Sequence, residues 1–400
     1  MVMKHYICIF LLSICMSLPI FASSPLSRDS QARIDSLCFV ALNHTNHGRY
    51  EESNAIIYNI MENYRLPKGS TRFMYGIMGQ NAWLSGDYPL YYRCMSKSLK
   101  RKELKNQFFQ KALSLLPPES LSRTDDEIDI MFEVDSLFYE GEFKGCEMRI
   151  PTVIGGKEEK MILDNGCAFF SLACESFARE HGIRPIGIGG KASGTVDNVS
   201  MWIGIADTLS IGPMLFQNIL FTVIPDEYLL NPVTKIDAAL GANIFRLAGE
   251  MDFDIKNRTI TFCHARKEYE SNITINGSGC HYIDVAIGND TLRFQLDLGA
   301  SSTQMNSNYF TRYQNRIINE CPTDSAIFGG VGGTDSEIVY LLDNIDIYAC
   351  GGCFTKDHAK ISTTNKSNQG DEFGVIGLDF LLNFERAHLN LRNSLHLYVW

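Results

Sequence analysis

Two hydrophobic patterns divide the chain into a helical part and a β part. From residue 31 to residue 116, apolar side chains recur every three or four positions with Gly or Pro between the runs, which predicts amphipathic helices. After residue 128 the apolar runs are short and end at Gly-rich turns, which predicts β-strands as far as the C-terminus. Brief helical patterns interrupt this part at residues 171–180 and 307–316. The predicted fold class is mainly β, with an α-helical module in front of it.

The helical module is assigned to residues 23–125. It contains two similar turns, His47-Gly48-Arg49-Tyr50 and Ser85-Gly86-Asp87-Tyr88, whose glycines lie 38 residues apart. This spacing is near the period of helix-hairpin repeats of the tetratricopeptide type, which need about three copies for stability. Because only two copies are found here, a small helical bundle packed on the rest of the chain is an equally good interpretation.

The β part contains two copies of one pattern. Each copy has an apolar strand that ends in Asp-x-Gly, at residues 164–166 (Asp-Asn-Gly) and 297–299 (Asp-Leu-Gly). A second motif follows, with its glycine at Gly241 and Gly377, 77 and 80 residues after the aspartate. Each second motif leads into a strand, a turn with Asn and a basic residue, and another strand. A Gly-rich stretch lies between the two motifs of each copy, at Gly189 and Gly190 and at Gly329 and Gly330.

Four correspondences in the same order indicate a duplicated β lobe. We assign the first lobe to residues 126–268 and the second to residues 269–400. Residues 23–125 carry 14 basic and 9 acidic side chains, whereas residues 126–400 carry 21 basic and 37 acidic ones, which indicates two units with different surfaces. The formal net charge of −10, without a basic stripe, argues against a general nucleic-acid binder.

Residues 1–22 predict export. They combine one Lys, no acidic side chain and an apolar run, followed by small residues at 22–24, which is typical of a secretory signal peptide. A membrane anchor is the alternative, although Pro19 and the short apolar run argue against it. No later stretch approaches the roughly 18 consecutive apolar residues of a membrane-spanning helix. We therefore expect the mature protein in the periplasm or the extracellular space, with no membrane span after signal removal.

The cysteines predict neither a disulfide scaffold nor a metal site. Ten of the 12 lie outside the predicted signal peptide, a low density whose pairing cannot be deduced from sequence. Cys350 and Cys353 form the one C-x-x-C motif, interpreted as a turn between strands with two thiols or a local disulfide. A zinc site needs a second such pair or spaced histidines, and the motifs of serine hydrolases, zinc peptidases and P-loop enzymes are absent. We expect no metal and no organic cofactor.

Two Asp-x-Gly turns, one in each lobe, predict a pair of carboxylates. A single such turn is usually structural, because Asp often hydrogen-bonds its own turn. In a duplicated lobe, however, a pseudo-twofold axis brings Asp164 and Asp297 to the same place. Two carboxylates that close share a proton, since both cannot ionise easily. The ionised one can take a proton from water and the protonated one can polarise a carbonyl, which is the requirement for amide hydrolysis without a covalent intermediate.

On these motifs, residues 145–400 resemble the pepsin and retropepsin-like aspartic proteases. The segment 376–381 is very similar to the retropepsin form of the second motif, and the lobes look like two retropepsin units fused in one chain. The resemblance implies a bilobal fold with Asp164 and Asp297 as the catalytic dyad. It also implies flaps at the Gly-rich stretches, which close over an extended peptide or protein substrate. The supporting loops would be formed by Asn165, Gly166, Leu298, Gly299, Gly241 and Gly377.

The chain departs from the family pattern between Asp and Gly. The family has Thr or Ser there, with a hydroxyl that hydrogen-bonds to the opposite lobe, whereas this chain has Asn165 and Leu298. Asn can make such a bond and Leu cannot. Two hypotheses follow: an exported aspartic-type endopeptidase, or a catalytically impaired protease-fold protein that binds peptides or acts as a scaffold. For the helical module, the alternatives are binding a protein partner and blocking the cleft as a pro-segment.

Overall fold

The structure is a computed structural model that describes residues 27–100, 103, 108–139, 142–194, 196–230, 235–263, 269–364 and 370–400. The predicted signal peptide at residues 1–22 lies outside the described residues. None of the described helices is long and apolar enough to cross a membrane.

The described N-terminal part is helical, as its apolar spacing predicted. Its helices are α1 (Arg28–Asn46), α2 (Tyr50–Asn63), α3 (Lys68–Ser85), α4 (Tyr88–Ser98) and α5 (Phe108–Leu113). Helix α1 packs on α2, and α3 packs on α4. These four helices enclose a small apolar core of their own. The module therefore consists of helix hairpins, and its likeness to tetratricopeptide repeats stays a prediction.

The two similar turns lie inside these hairpins. Gly48 has a φ of +74° between α1 and α2, and Gly86 has a φ of +80° between α3 and α4. Both values fall in the left-handed region, where glycine lacks the steric penalty of other residues. Asp87 then begins α4 by accepting the backbone N–H of Leu90. The sequence likeness of the turns thus reflects the same backbone requirement at two places.

Residues 120–399 supply the strands and the remaining helices. In the first half these are β1 (Ser120–Ser122), β2 (Glu127–Met131), β3 (Glu133–Tyr139), β4 (Glu142–Ile154), β5 (Lys157–Leu163), β6 (Ser171–Cys174), α6 (Glu175–Glu180), β7 (Arg184–Ser193), β8 (Asn198–Ile211), β9 (Met214–Ile224), a 3-10 turn (Asp226–Tyr228), β10 (Ala238–Leu240), α7 (Ala242–Ala248), β11 (Glu250–Asp254) and β12 (Thr259–Cys263). In the second half they are β13 (Ile273–Ile275), β14 (His281–Ile287), β15 (Asp290–Leu296), β16 (Gln304–Met305), α8 (Ser307–Glu320), β17 (Thr323–Gly330), β18 (Gly333–Leu342), β19 (Ile345–Ala349), β20 (Gly352–Lys356), β21 (Ala359–Ile361), β22 (Gly374–Ile376), α9 (Leu378–Leu382), β23 (Arg386–Asn390) and β24 (His396–Val399).

The first lobe is a sheet that closes on itself. Its hydrogen-bonded order is β1-β9-β6-β10-β5-β4-β8-β7, with β3 on β4 and a further pairing of β8 with β9 that closes the sheet. Strand β5 runs parallel to β10, with Leu163 opposite Leu240. Both β6 and β10 are buried along their whole length, which explains their small and apolar side chains.

The second lobe repeats the central strand pairings of the first. Its order is β17-β18-β21-β16-β22-β15-β14-β19-β20, with β13 on β14. Strand β15 runs parallel to β22, with Leu296 opposite Ile376. The same parallel pair therefore leads into the Asp-x-Gly turn and the second glycine in both lobes. This confirms the predicted fold class, a mainly β, duplicated bilobal domain preceded by helices.

A third sheet joins the two lobes. It has the order β2-β12-β11-β23-β24, and β11 of the first lobe is antiparallel to β23 of the second, with Asp252 opposite His388. Strand β2 alternates exposed and buried residues, as expected when one face lies on a core. A single large apolar core extends through both lobes and this sheet. The lobes are thereby held in the fixed relation that a shared site requires.

One predicted helical patch is wrong in its first half. Residues 171–174 form strand β6, and α6 begins only at Glu175. Strand β6 pairs in parallel with β9, which places Ser171 opposite Phe221. This long-range pairing buries the segment on both sides and overrides its short helical periodicity. The other predicted patch is present as α8, which extends to Glu320.

Candidate active site

The structure brings the two Asp-x-Gly turns together. Asp164 directly follows β5, and its backbone N–H donates to the carbonyl of Leu240 at 3.0 Å. Asp297 directly follows β15, and its N–H donates to the carbonyl of Ile376 at the same distance. Both aspartates thus leave a buried parallel strand pair at equivalent positions. This local equivalence is the structural basis of the pseudo-twofold relation.

The glycine of each turn faces the carboxylate of the opposite lobe. A Cβ atom added to Gly166 would clash with the Asp297 carboxylate, and one added to Gly299 would clash with the Asp164 carboxylate. The side chains at both positions must therefore be absent for the carboxyl groups to approach. The two carboxyl groups hydrogen-bond to each other, and each remains partly accessible at the surface.

Backbone N–H groups orient both carboxylates in the same way. The Oδ1 atom of Asp164 accepts the N–H of Gly166 at 2.8 Å and that of Cys167 at 3.3 Å. The Oδ1 atom of Asp297 accepts the N–H of Gly299 at 3.0 Å, and that of the next residue at 3.2 Å. These bonds stabilise the ionised form of each carboxyl group.

The thiol of Cys167 breaks the symmetry of the pair. Its Sγ donates to Oδ2 of Asp164 at 3.1 Å, whereas Ala300 stands at the matching position of the second lobe and offers no side-chain donor. Burial raises the pKa of the Cys167 thiol well above its usual value, and the charge of Asp164 raises it further. The group therefore stays a protonated donor. An additional donor on Asp164 favours negative charge there and leaves the shared proton with Asp297.

The pKa values of the two carboxyl groups are raised. Burial raises the pKa of Asp297 to about 7, and the neighbouring charge of Asp164 adds to the shift. Burial also raises the pKa of Asp164, against the opposing effect of its hydrogen bonds from Cys167 and Gly166. Because the groups are coupled, one proton is held between them from acidic to nearly neutral pH.

A single asparagine supplies the bridge between the two turns. The Nδ2 of Asn165 donates to the carbonyl of Leu296 at 2.8 Å, and its Oδ1 accepts the backbone N–H of Leu298 at 2.7 Å. The amide is 1% exposed, so both bonds are shielded from water. Asn can serve both partners because an amide carries a donor and an acceptor. The side chain of Leu298 is buried in the apolar core instead.

The second glycines pack behind the turns. The N–H of Gly241 donates to Ser171 Oγ at 3.1 Å, and the N–H of Gly377 donates to Thr303 Oγ1 at 3.1 Å. The hydroxyl of Thr303 in turn donates to Asp379 Oδ1 at 2.7 Å, so this aspartate serves as a hydrogen-bond acceptor behind the turn. The roles of Ser171 and Thr303 were not predicted from the sequence. A usable signal was the hydroxyl residue six or seven positions after each aspartate.

The Gly-rich stretches lie in two hairpins. Gly189 and Gly190 belong to β7 and pair with β8, while Gly329 and Gly330 belong to β17 and pair with β18. The tips of the hairpins meet, because the N–H of Val196 donates to the carbonyl of Val331 at 3.1 Å. Their role as flaps stays a prediction.

Among the described residues, the cysteines form no disulfide and the potential metal-binding side chains form no metal site. All ten described cysteines are free, and Cys350 occupies the turn between β19 and β20, with Cys353 on β20. In the described part of the chain, no group of three or more His, Cys, Asp or Glu side chains is arranged to hold a metal ion.

Comparisons with known proteins give matches among solved structures alone. No family model matches the chain, and no curated protein matches it. Among solved structures, it is similar to an aspartic proteinase from Irpex lacteus at 10% identity, over 68% of this chain and 97% of that one, with a TM-score of 0.41. It is also similar to conglutin gamma, a basic 7S globulin from lupine seeds, at 10% identity, over 69% and 95%, with a TM-score of 0.39. Likeness at this level supports no inference about function, so the site is interpreted from its own geometry.

Proposed function

We propose that this chain is an aspartic-type endopeptidase that hydrolyses peptide bonds with a water molecule activated between Asp164 and Asp297. The observation that supports this most directly is the hydrogen-bonded contact of the two carboxyl groups, one from each lobe. A proton shared by such a pair supplies a base and an acid at the same moment. Neither a metal ion nor an organic cofactor is needed for this chemistry.

The asymmetry of the site assigns the two roles. Asp164, with the additional donor from Cys167, is the ionised base that takes a proton from water as the water oxygen bonds to the peptide carbonyl carbon. Asp297 holds the shared proton and gives it to the carbonyl oxygen. When the C–N bond breaks, Asp164 gives the proton it took from water to the leaving nitrogen, and Asp297 takes a proton back from a hydroxyl of the intermediate. The products are a carboxylic acid and an amine, and the shared proton is restored.

The substrate is proposed to be an extended peptide or protein segment. The two Gly-rich hairpins, with Gly189 and Gly190 in one and Gly329 and Gly330 in the other, are the proposed flaps. Glycine allows a second backbone to approach a strand closely, which suits a substrate that binds as an added strand.

We also propose that the protein is exported through the signal peptide at residues 1–22. Sequencing the N-terminus of the protein purified from its native host tests this. A start near residue 23 supports export, and an intact residue 1 on a protein retained in the cell contradicts it.

Cleavage of a mixed peptide library tests the enzymatic proposal. The purified chain is incubated from pH 3 to pH 7, and the products are identified by mass spectrometry, with Asp297→Asn and Asp164→Asn as paired controls. We expect cuts that fall by at least about 10²-fold in each control, because each variant removes one member of the acid–base pair. Cuts that persist in both controls would exclude the dyad.

Peptide binding without cleavage by the folded wild-type chain favours the other hypothesis, a catalytically impaired binding or scaffold protein. Leu298 motivates this alternative, since it lacks the hydroxyl expected there. A gain of cleavage in Leu298→Thr from an inactive wild type identifies a damaged enzyme. The described bridge through Asn165 makes the intact enzyme the preferred proposal.

A further inference from the structure

The helical module contacts the chain directly after the Asp164 turn. The ring of Trp83 lies 5.1 Å from that of Phe169, and the ring of Tyr88 lies 6.1 Å from that of Phe170. Tyr88 and Phe170 are buried together in an apolar cluster shared by the module and the first lobe. Both phenylalanines follow Asp164 within six positions. The module therefore packs against the continuation of the turn.

The same segment is fixed on its other sides by the lobes. The carbonyl of Cys167 accepts the N–H of Ala242 at 2.9 Å, which ties the turn to the start of α7. A Cβ on Gly279 of the second lobe would lie 2.8 Å from the carbonyl oxygen of Ala168. Residues 168–170 are thus held between the module and both lobes. Such a segment moves little unless one of these contacts is removed.

A second connection runs through Glu119, which follows the helices. Its carboxylate forms a buried ion pair with Arg246 at 3.1 Å and accepts the amide of Asn243 at 2.7 Å. The hydroxyl of Ser171 donates to the Oδ1 of Asn243 at 3.0 Å. The same Ser171 Oγ accepts the backbone N–H of Gly241. A continuous chain of hydrogen bonds therefore links the end of the module to the glycine that packs behind the Asp164 turn.

Comparison of the two lobes shows what Glu119 contributes. In the second lobe Asp379, two residues after its glycine, bonds Thr303 and pairs with Lys356 at 2.6 Å within the same lobe. In the first lobe the matching position is Asn243, which is neutral. The carboxylate and its cation are present there as Glu119 and Arg246. The first lobe thus obtains from the preceding segment a charge that the second lobe carries itself.

We infer that the helical module and Glu119 are positioning elements of the Asp164 turn. This inference rests on the proposed function, because the turn carries the proposed base. Both connections end on the Asp164 turn and its packing glycine, so their loss loosens this turn selectively. The module is therefore an integral support of the site, in contrast to a pro-segment whose removal would activate it.

Hydrogen exchange of the full-length protein tests the inference without any need for activity. The amides of Gly166 and Cys167 donate to Asp164, so their exchange rates report on the turn. We expect at least about a tenfold faster exchange there in Trp83→Ala and a smaller increase in Trp83→Phe. The matching amide of Gly299 in the second lobe is expected to change little.

Two further variants keep the test decisive. Trp400→Ala removes a side chain of the same type that is 55% exposed at the far end of the chain, and it should leave the Asp164 turn unchanged. Glu119→Gln removes the ion pair with Arg246 while keeping the helices intact, which circular dichroism verifies. Unchanged exchange at Gly166 and Cys167 in both Trp83→Ala and Glu119→Gln overturns the inference, as does an equal increase in the two lobes.

Kinetics separate this inference from the proposed function. If the wild type cleaves peptides, Trp83→Ala and Glu119→Gln should lower kcat by at least about tenfold with KM within about twofold, because positioning affects the transition state. The acid limb of the pH profile should also move to higher pH as the turn releases Asp164. A higher kcat in these variants identifies an inhibitory module and overturns the inference. If the wild type cleaves nothing, the proposed function fails. The hydrogen-exchange result then still decides by itself whether the module positions the Asp164 turn.

Discussion

Replacing Asp297 by Asn should stabilise the folded protein at neutral pH and have little effect at acidic pH. Asn keeps the shape of the protonated carboxyl group, and its oxygen can accept the same N–H bonds from Gly299 and Ala300. Its NH₂ group can donate to Asp164 as the shared proton does. The variant therefore mimics the protonated state at every pH.

The direction of the expected change in the free energy of unfolding follows from the raised pKa of Asp297. Burial and the neighbouring charge raise the pKa of Asp297 from 3.8 to about 7. A carboxyl group with a raised folded-state pKa contributes stability that is present below its unfolded pKa and is lost as pH rises through the folded pKa. The wild type thus loses free energy of unfolding between about pH 4 and pH 7, and the Asn variant does not. A shift of about three pH units corresponds to about 4 kcal/mol, which is the upper limit for the difference above pH 7.5.

Urea unfolding of both proteins at half-unit steps from pH 4 to pH 8.5 measures this difference. The difference in free energy of unfolding, variant minus wild type, should be near zero at pH 4 and rise to a plateau above pH 7. The half-buried Asp254 provides a control of opposite sign, because its hydrogen bonds from Asn257 lower its pKa. Asp254→Asn should therefore lower the free energy of unfolding by a similar amount throughout this pH range, with no rise between pH 4 and pH 7. A pH-independent difference for Asp297→Asn would refute a raised pKa at this carboxyl group.

Substitutions at three further positions test the geometry of the site. Gly166→Ala places a Cβ against the opposite carboxylate, so we expect a loss of about 1–3 kcal/mol in urea unfolding together with loss of cleavage. Asn165→Ala leaves a buried N–H and a buried C=O without partners, which should cost about 2–4 kcal/mol, and unchanged stability would contradict the bridging role. Cys167→Ala removes a donor from Asp164 and should raise the pKa of that carboxyl group, which moves the acid limb of kcat/KM to higher pH. Cys167→Ser should return the acid limb to its wild-type pH, because a hydroxyl can donate to Asp164 as the thiol does. Identical pH profiles for the wild type and both variants would show that the thiol does not affect the pKa of Asp164.

Much of this architecture could be predicted from local patterns. The apolar spacing predicted helices followed by strands, and the repeated Asp-x-Gly and second-glycine motifs predicted a duplicated lobe whose aspartates meet. These features are readable because strand, turn and glycine requirements depend on neighbouring residues. Gly166 and Gly299 are required because the carboxylate of the opposite lobe approaches each of them closely. In the sequence, only the duplication of the lobe indicated that the two carboxylates would meet.

Other features were decided only by tertiary contacts. Residues 171–174 became a strand because of their pairing with β9, although their local pattern favoured a helix. The sequence indicated that Asn165 could make one hydrogen bond to the opposite lobe. The structure shows two, one to the carbonyl of Leu296 and one from the N–H of Leu298. From the sequence, the helical module could either bind a protein partner or block the cleft as a pro-segment. In the structure, the contacts of Trp83 and Glu119 with the first lobe connect the module to the Asp164 turn.

The physical reason is the sequence distance over which these contacts act. Asn165 and Leu298 are 133 positions apart, and Glu119 and Asn243 are 124 positions apart. The alternation of apolar and polar residues determines which face of a strand or helix is buried, but it carries no information about which distant polar group will meet a buried amide. That partner is set by how the lobes and the module pack, because a buried donor or acceptor must find a partner within the folded chain.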